Sequence, residues 1–217
     1  MLGAALCVGF VDVAGVSLRA LAALEAPEGS TRVTHAVDID GFEEPGDEPP
    51  ATLVQFSDAD RAARVSLLLL HSRVPPDKAL ALCSCILDFA TACGAKLVVV
   101  AAAVRFPPSM ESTLRHCVLA YALNGAAAGL RRPTLPDEAQ VGDAMCAAFV
   151  HVARVEGTPF LALFAPAHKP RPGSDEEAQN AAQLLATALA GVLNVGCGRV
   201  TAATTLREDN DAPLMFV

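Results

Sequence analysis

The stretch "VSLLLLHSRVPPDKALALCSCILDFATACGAKLVVVAAAV", residues 65–104, reads as an apolar strand, a helix and a second apolar strand. The helix is expected over 74–94. Pro75 and Pro76 stand at its start, Asp77 lies in the first turn and Gly94 is a natural stop. The closing strand, 95–104, is apolar on both faces. A strand of that kind belongs in the middle of a sheet covered on both sides.

The flanks extend the alternation. Residues 2–11 are apolar and strand-like, and Asp12 interrupts them as the cap of a helix over 12–24, with Val13, Val16, Leu21 and Leu24 at helical spacing. Strands at 51–56 and 63–71 flank a "SDAD" turn and predict a hairpin. The acidic segment 37–50, with Glu43, Glu44, Asp47 and Glu48, reads as an exposed solvated loop. Downstream, a helix is expected over 109–124 behind Ser109, then a loop over 125–136. A helix over 142–157 runs from Asp143 to Gly157, followed by a buried strand over 158–167. Ser174 and Glu177 form a capping box for a last helix over 174–195. Strands alternating with helices predict an α/β fold, a three-layer α/β/α sandwich with a largely parallel central sheet. One domain should occupy 1–205 and a flexible C-terminal tail 206–217.

Composition narrows the function classes. The chain has 217 residues, enough for one core that removes roughly 70% of the unfolded surface from water. It is 53% hydrophobic and carries a net charge of −8, which repels phosphate backbones and argues against a nucleic-acid partner. No run approaches the roughly 20 apolar residues that a membrane span needs. Seven cysteines, an odd number scattered through helices and strands, fit reduced, buried thiols in a cytosolic compartment better than a disulfide framework.

The search for chemistry returns little. Gly9 and Gly15 flank a strand-to-helix turn, but a dinucleotide fingerprint needs a different glycine spacing, and Phe10 and Val11 fill the turn. A tight packing turn is the simpler reading, and the lone "GCG" at 196–198 is weaker still. Cys83 and Cys85 are two apart on a helix and point to different sides, so they cannot share a metal. His35, His71, His116, His151 and His168 are dispersed, no nucleophile elbow is present, and Ser84 lies in mid-helix. Neither a metal nor a cofactor is expected, and no catalytic residue can be named.

The end of the chain is different. "LREDNDAP" (206–213) is a polar tether, and Leu214, Met215, Phe216 and Val217 form an apolar tip. Such a tip either folds back on its own domain or plugs into another protein. Met215-Phe216-Val217 is hydrophobic, aromatic, any residue, and resembles the HbYX motif of proteins that dock on the proteasome, with Phe216 in place of the usual tyrosine. The body carries a matching resemblance. "DAMCAAFVHVARVEGTPFLALFAPAH" (143–168) is similar to the helix–strand unit of the first type of proteasome assembly chaperone. Residues 65–104 resemble the middle of the assembly-chaperone families.

The resemblance to the proteasome assembly chaperone family implies a non-enzymatic protein. It implies pairing with a second chaperone as a heterodimer that caps the proteasome α subunits while the core-particle ring assembles. Met215, Phe216 and Val217 would enter a slot between α subunits. Burial of Met215 and Phe216 would contribute roughly 1.5–3 kcal/mol each, and a cation would be needed for the terminal carboxylate. The alternative class is a small α/β enzyme, phosphorylase- or hydrolase-like, because such sheets host ligands at their strand ends.

Overall fold

The structure is a computed structural model that describes residues 3–39, 49–58, 63–105, 116–126, 132–136, 141, 143–167 and 175–201. A seven-stranded sheet runs through it in the order β3-β4-β5-β1-β6-β8-β7. Its strands are β1 (Ala5–Gly9), β3 (Thr31–Val37), β4 (Ala51–Ser57), β5 (Ala63–Leu70), β6 (Leu97–Val104), β7 (Leu119–Leu123) and β8 (Phe160–Pro166). The four central strands, β5, β1, β6 and β8, are mutually parallel; on one edge β4 pairs antiparallel with β5 and β3 antiparallel with β4, and on the other β7 pairs antiparallel with β8. A two-stranded ribbon, β2 (Leu24–Glu25) with β9 (Gly196–Cys197), lies apart from it.

Helices cover both faces, giving the expected three-layer α/β/α sandwich. α1 (Val16–Ala22) and α4 (Asp175–Leu193) pack together on one face, α2 (Pro76–Ala92) and α3 (Ala144–Glu156) on the other. Strand alternation divides the core between them. In β6, Val99, Ala101 and Ala103 face the α1 and α4 layer, and Val98, Val100, Ala102 and Val104 face the α2 and α3 layer. This is why "LVVVAAAV" has no polar face. Phe160 on β8 stacks against Phe149 of α3, with ring centroids 6.5 Å apart.

Local chemistry sets the boundaries. The Asp143 side chain accepts the Cys146 N–H at 3.0 Å and caps α3, and Gly157 closes it at φ 73°, a left-handed conformation that glycine adopts without strain. A Cβ on Gly9 would lie 3.0 Å from a Leu21 methyl, so this glycine serves close packing of α1 on β1, as the turn reading expected. The 51–71 hairpin forms as β4 and β5.

Three expectations need correction. The helix expected over 109–124 is not continuous: Leu119–Leu123 is strand β7, antiparallel to β8, and 106–115 lie outside the described residues. "LAYAL" is too short for its apolar spacing to separate helix from strand, and pairing with β8 decides it. The helix expected from Asp12 starts at Val16, after a 3-10 turn over Val13–Gly15. Strand β3, "TRVTHAV", was not expected at all. Six of its seven residues are exposed, so it lacks the buried alternation that marks a strand, and its ladder with β4 creates it. The acidic residues Glu43, Glu44, Asp47 and Glu48, and the Ser174 end of the capping box, lie outside the described residues.

Candidate functional site

In open α/β sheets ligands bind beyond the carboxyl ends of the strands, where successive connections diverge. Here the chain leaves β1 towards β5 and leaves β6 towards β8, so the crevice lies between the ends of β1 and β6. Asp12 occupies it. One carboxylate oxygen of Asp12 accepts the Ala103 N–H at 2.6 Å, and the Ser17 N–H donates to both oxygens at 3.2 and 3.1 Å. The Ser17 hydroxyl donates to the Phe10 carbonyl at 2.6 Å and accepts the Phe10 N–H at 3.1 Å. The chain's own side chains therefore take the backbone donors that an anionic ligand would use at this crevice.

The electrostatics of the crevice are those of a filled interior. Removal from water pushes the Asp12 pKa up from 3.8 to about 8. N–H bonds from Ala103 and Ser17 pull it down, the charge of Asp143 pushes it further up, and Val16 N–H pulls it down again. Cys146, one turn into α3, is pushed well above the thiol range by burial and by the nearby acidic groups. Burial does the same to Cys7 and Cys83. These thiols stay protonated and are poor nucleophiles.

The other candidate residues do not converge. Cys83 is buried and Cys85 exposed, as their spacing required. His35 and His151 are exposed on β3 and α3, and His71 Nε2 lies 2.8 Å from the Thr52 hydroxyl. His168 lies outside the described residues. Among the described residues no three His, Cys, Asp or Glu side chains gather as a metal site.

A second feature escaped the sequence analysis. An open groove of about 570 Å³ runs between α2 and the β3–β4 edge of the sheet. Val37, Ile39 and Leu53 form one wall, Leu82, Ile86 and Phe89 the other, and Lys78 and Asp38 stand among them. α2 covers β5 but leaves this edge of its face open, and Phe89 is 45% exposed. The signal was present in the sequence: Cys85 and Phe89 fall on one side of the helix beside Leu82, so apolar surface on α2 continues past the stripe buried against the sheet, with Lys78 one turn before Leu82 on the same side. Met215, Phe216 and Val217, the site residues expected from the sequence, lie outside the described residues.

The architecture is shared with solved structures. A Corynebacterium glutamicum protein of unknown function matches with a TM-score of 0.61 at 12% identity, over 91% of this chain and 77% of that one. Pyrococcus furiosus PbaB, described as an archaeal proteasome activator, matches with a TM-score of 0.58 at 11% identity, over 92% and 87%. Pyrococcus furiosus PbaA, described as an archaeal homolog of proteasome-assembly chaperone, matches with a TM-score of 0.57 at 14% identity, over 91% and 85%. At such identities these likenesses establish the fold. No curated protein sequence matches the chain significantly. The sequence profile of the PAC2 family does match, over residues 6–209, from β1 through every element of the sandwich and into the polar tail; the chain belongs to the PAC2 family.

Proposed function

We propose that this chain is a proteasome assembly chaperone subunit. It pairs with a second chaperone of related fold, and the pair binds the α-ring of the core particle during its assembly. The Met215-Phe216-Val217 tip docks between α subunits. The observation that carries the reading is the family match over 6–209, with the apolar tip standing just beyond the matched region. Support also comes from the two Pyrococcus furiosus proteins of this fold whose descriptions refer to the proteasome.

In this reading the protein is not an enzyme. The filled crevice supports that: Asp12 holds the N–H groups of Ala103 and Ser17, and the core thiols are held protonated by burial. A phosphorylase- or hydrolase-like activity would have to displace Asp12 first.

Affinity capture of the tagged full chain from extract, with peptide identification, tests the proposal. Recovery of a second chaperone of this fold together with proteasome α subunits is expected. Recovery of neither contradicts it.

A further inference from the structure

We infer that the groove between α2 and the β3–β4 edge is a resting seat for the chain's own apolar tip, Leu214–Val217. The groove is lined almost entirely by aliphatic and aromatic carbon, and Phe89 is exposed at 45% in its wall. Its volume of about 570 Å³ lies in the ordinary range for seating a few side chains. An apolar surface of that kind in water is an unfilled contact. The same chain carries an apolar cluster beyond the described residues: Leu214, Met215, Phe216 and Val217, set off by the polar run Arg207–Asp211.

Topology puts the two within reach. The Gly198 N–H donates to the Ala23 carbonyl and the Val200 N–H donates to Gln183 Oε1 at 2.8 Å, so the described chain ends at Thr201 beside the middle of α4. α2 descends on the opposite face to the end where β1 and β6 begin, where the Lys96 N–H donates to the Ala4 carbonyl at 2.8 Å just before β1. Phe89, in the last turn of α2, lines the groove towards that end. The route from Thr201 runs about 15 Å down α4, at about 1.5 Å per residue from Gln183 to Leu193, and roughly 20 Å across to the α2 layer, at about 10 Å per layer. Residues 202–213 span up to about 40 Å when extended, so the tip reaches the groove of its own subunit.

The seat has a consequence for the proposed function, and that consequence alone rests on the α-ring reading. A tip held in the groove is withdrawn from the α-ring slot, so free protein would keep Phe216 covered and release it only in exchange for the foreign socket.

Cys85 lines the groove and is an exposed thiol, which makes it the reporter. The full chain and its Phe216→Asp variant are treated briefly with iodoacetamide, and labelling is read peptide by peptide. Cys85 should react about tenfold faster in the variant if the tip is seated nine-tenths of the time. Cys197, beside Gln183 on the opposite layer, should label equally in both and serves as the control. The rate difference should not change on dilution. Equal Cys85 rates overturn the inference, and so does protection that vanishes on dilution, which would make a second copy the occupant. The assay contains no proteasome, so its failure is separable from failure of α-ring binding.

Discussion

The Asp12 carboxylate, at the end of β1, accepts the backbone N–H of Ala103, at the end of β6, at 2.6 Å. One side chain thereby fastens two neighbouring parallel strands at the point where their connections part, and through the Ser17 N–H it also fastens the start of α1. The crevice that the fold would offer a ligand is spent on holding the fold together.

Titration of Asp12 should be visible in the pH dependence of stability. Its folded pKa of about 8 lies above its ordinary 3.8, so the native state holds a proton that the unfolded chain releases. The stabilisation is complete below the unfolded pKa and is lost as pH rises through about 8. Asp12→Asn removes the titration. In urea denaturation from pH 5 to 8.5, the stability of the unaltered chain relative to Asp12→Asn should fall with rising pH, by at most about 1.4 kcal/mol per unit. A constant difference would show that the carboxylate is solvated after all. Asp12→Ala should cost about 1–3 kcal/mol throughout, because the Ala103 and Ser17 donors lose their acceptor.

Thiol reactivity should follow burial. Cys7, Cys83 and Cys146 are buried and their thiols are held protonated, so alkylation at pH 8 should reach them only when the domain unfolds. Labelling with and without denaturant, resolved by peptide mass, checks this. Rapid labelling of Cys146 in the native protein would mean that the region beside Asp143 is open.

Core packing should separate two apolar residues of similar appearance in the sequence. Phe160 is fully buried and stacks on Phe149, so Phe160→Ala should destabilise by about 3–5 kcal/mol. Val155, on α3, is 73% exposed, and Val155→Ala should stay within about 0.5 kcal/mol. Thermal melts of the two variants compare them directly. Equal effects would mean that the α3–β8 contact is absent in solution.

The central sheet was legible because parallel strands buried on both faces leave unbroken apolar runs, as in Val98–Val104, and because Pro76, Gly94, Asp143 and Gly157 punctuate the helices between them. The edges were not. Leu119–Leu123 and Thr31–Val37 are strands only because β8 and β4 offer them a ladder, a tertiary fact with no local signature. Asp12 was recognised as a helix-cap residue, and its longer reach was hidden because Ala103 is 91 residues away. The groove was hidden for a similar reason: the apolar surface of α2 beside Leu82 has meaning only once the β3–β4 edge extends past the helix.

The proposal that the chain acts on the proteasome is tested most directly by binding of purified core-particle α-rings to the full chain and to one lacking residues 215–217, each with its chaperone partner and each with its melting temperature measured. The account predicts that the deletion weakens α-ring binding by at least about tenfold, the equivalent of one buried aromatic contact, while the melting temperature shifts by no more than loss of a surface-seated tip allows. Unchanged binding, or a melting temperature lowered by the amount that loss of a core side chain causes, would contradict it.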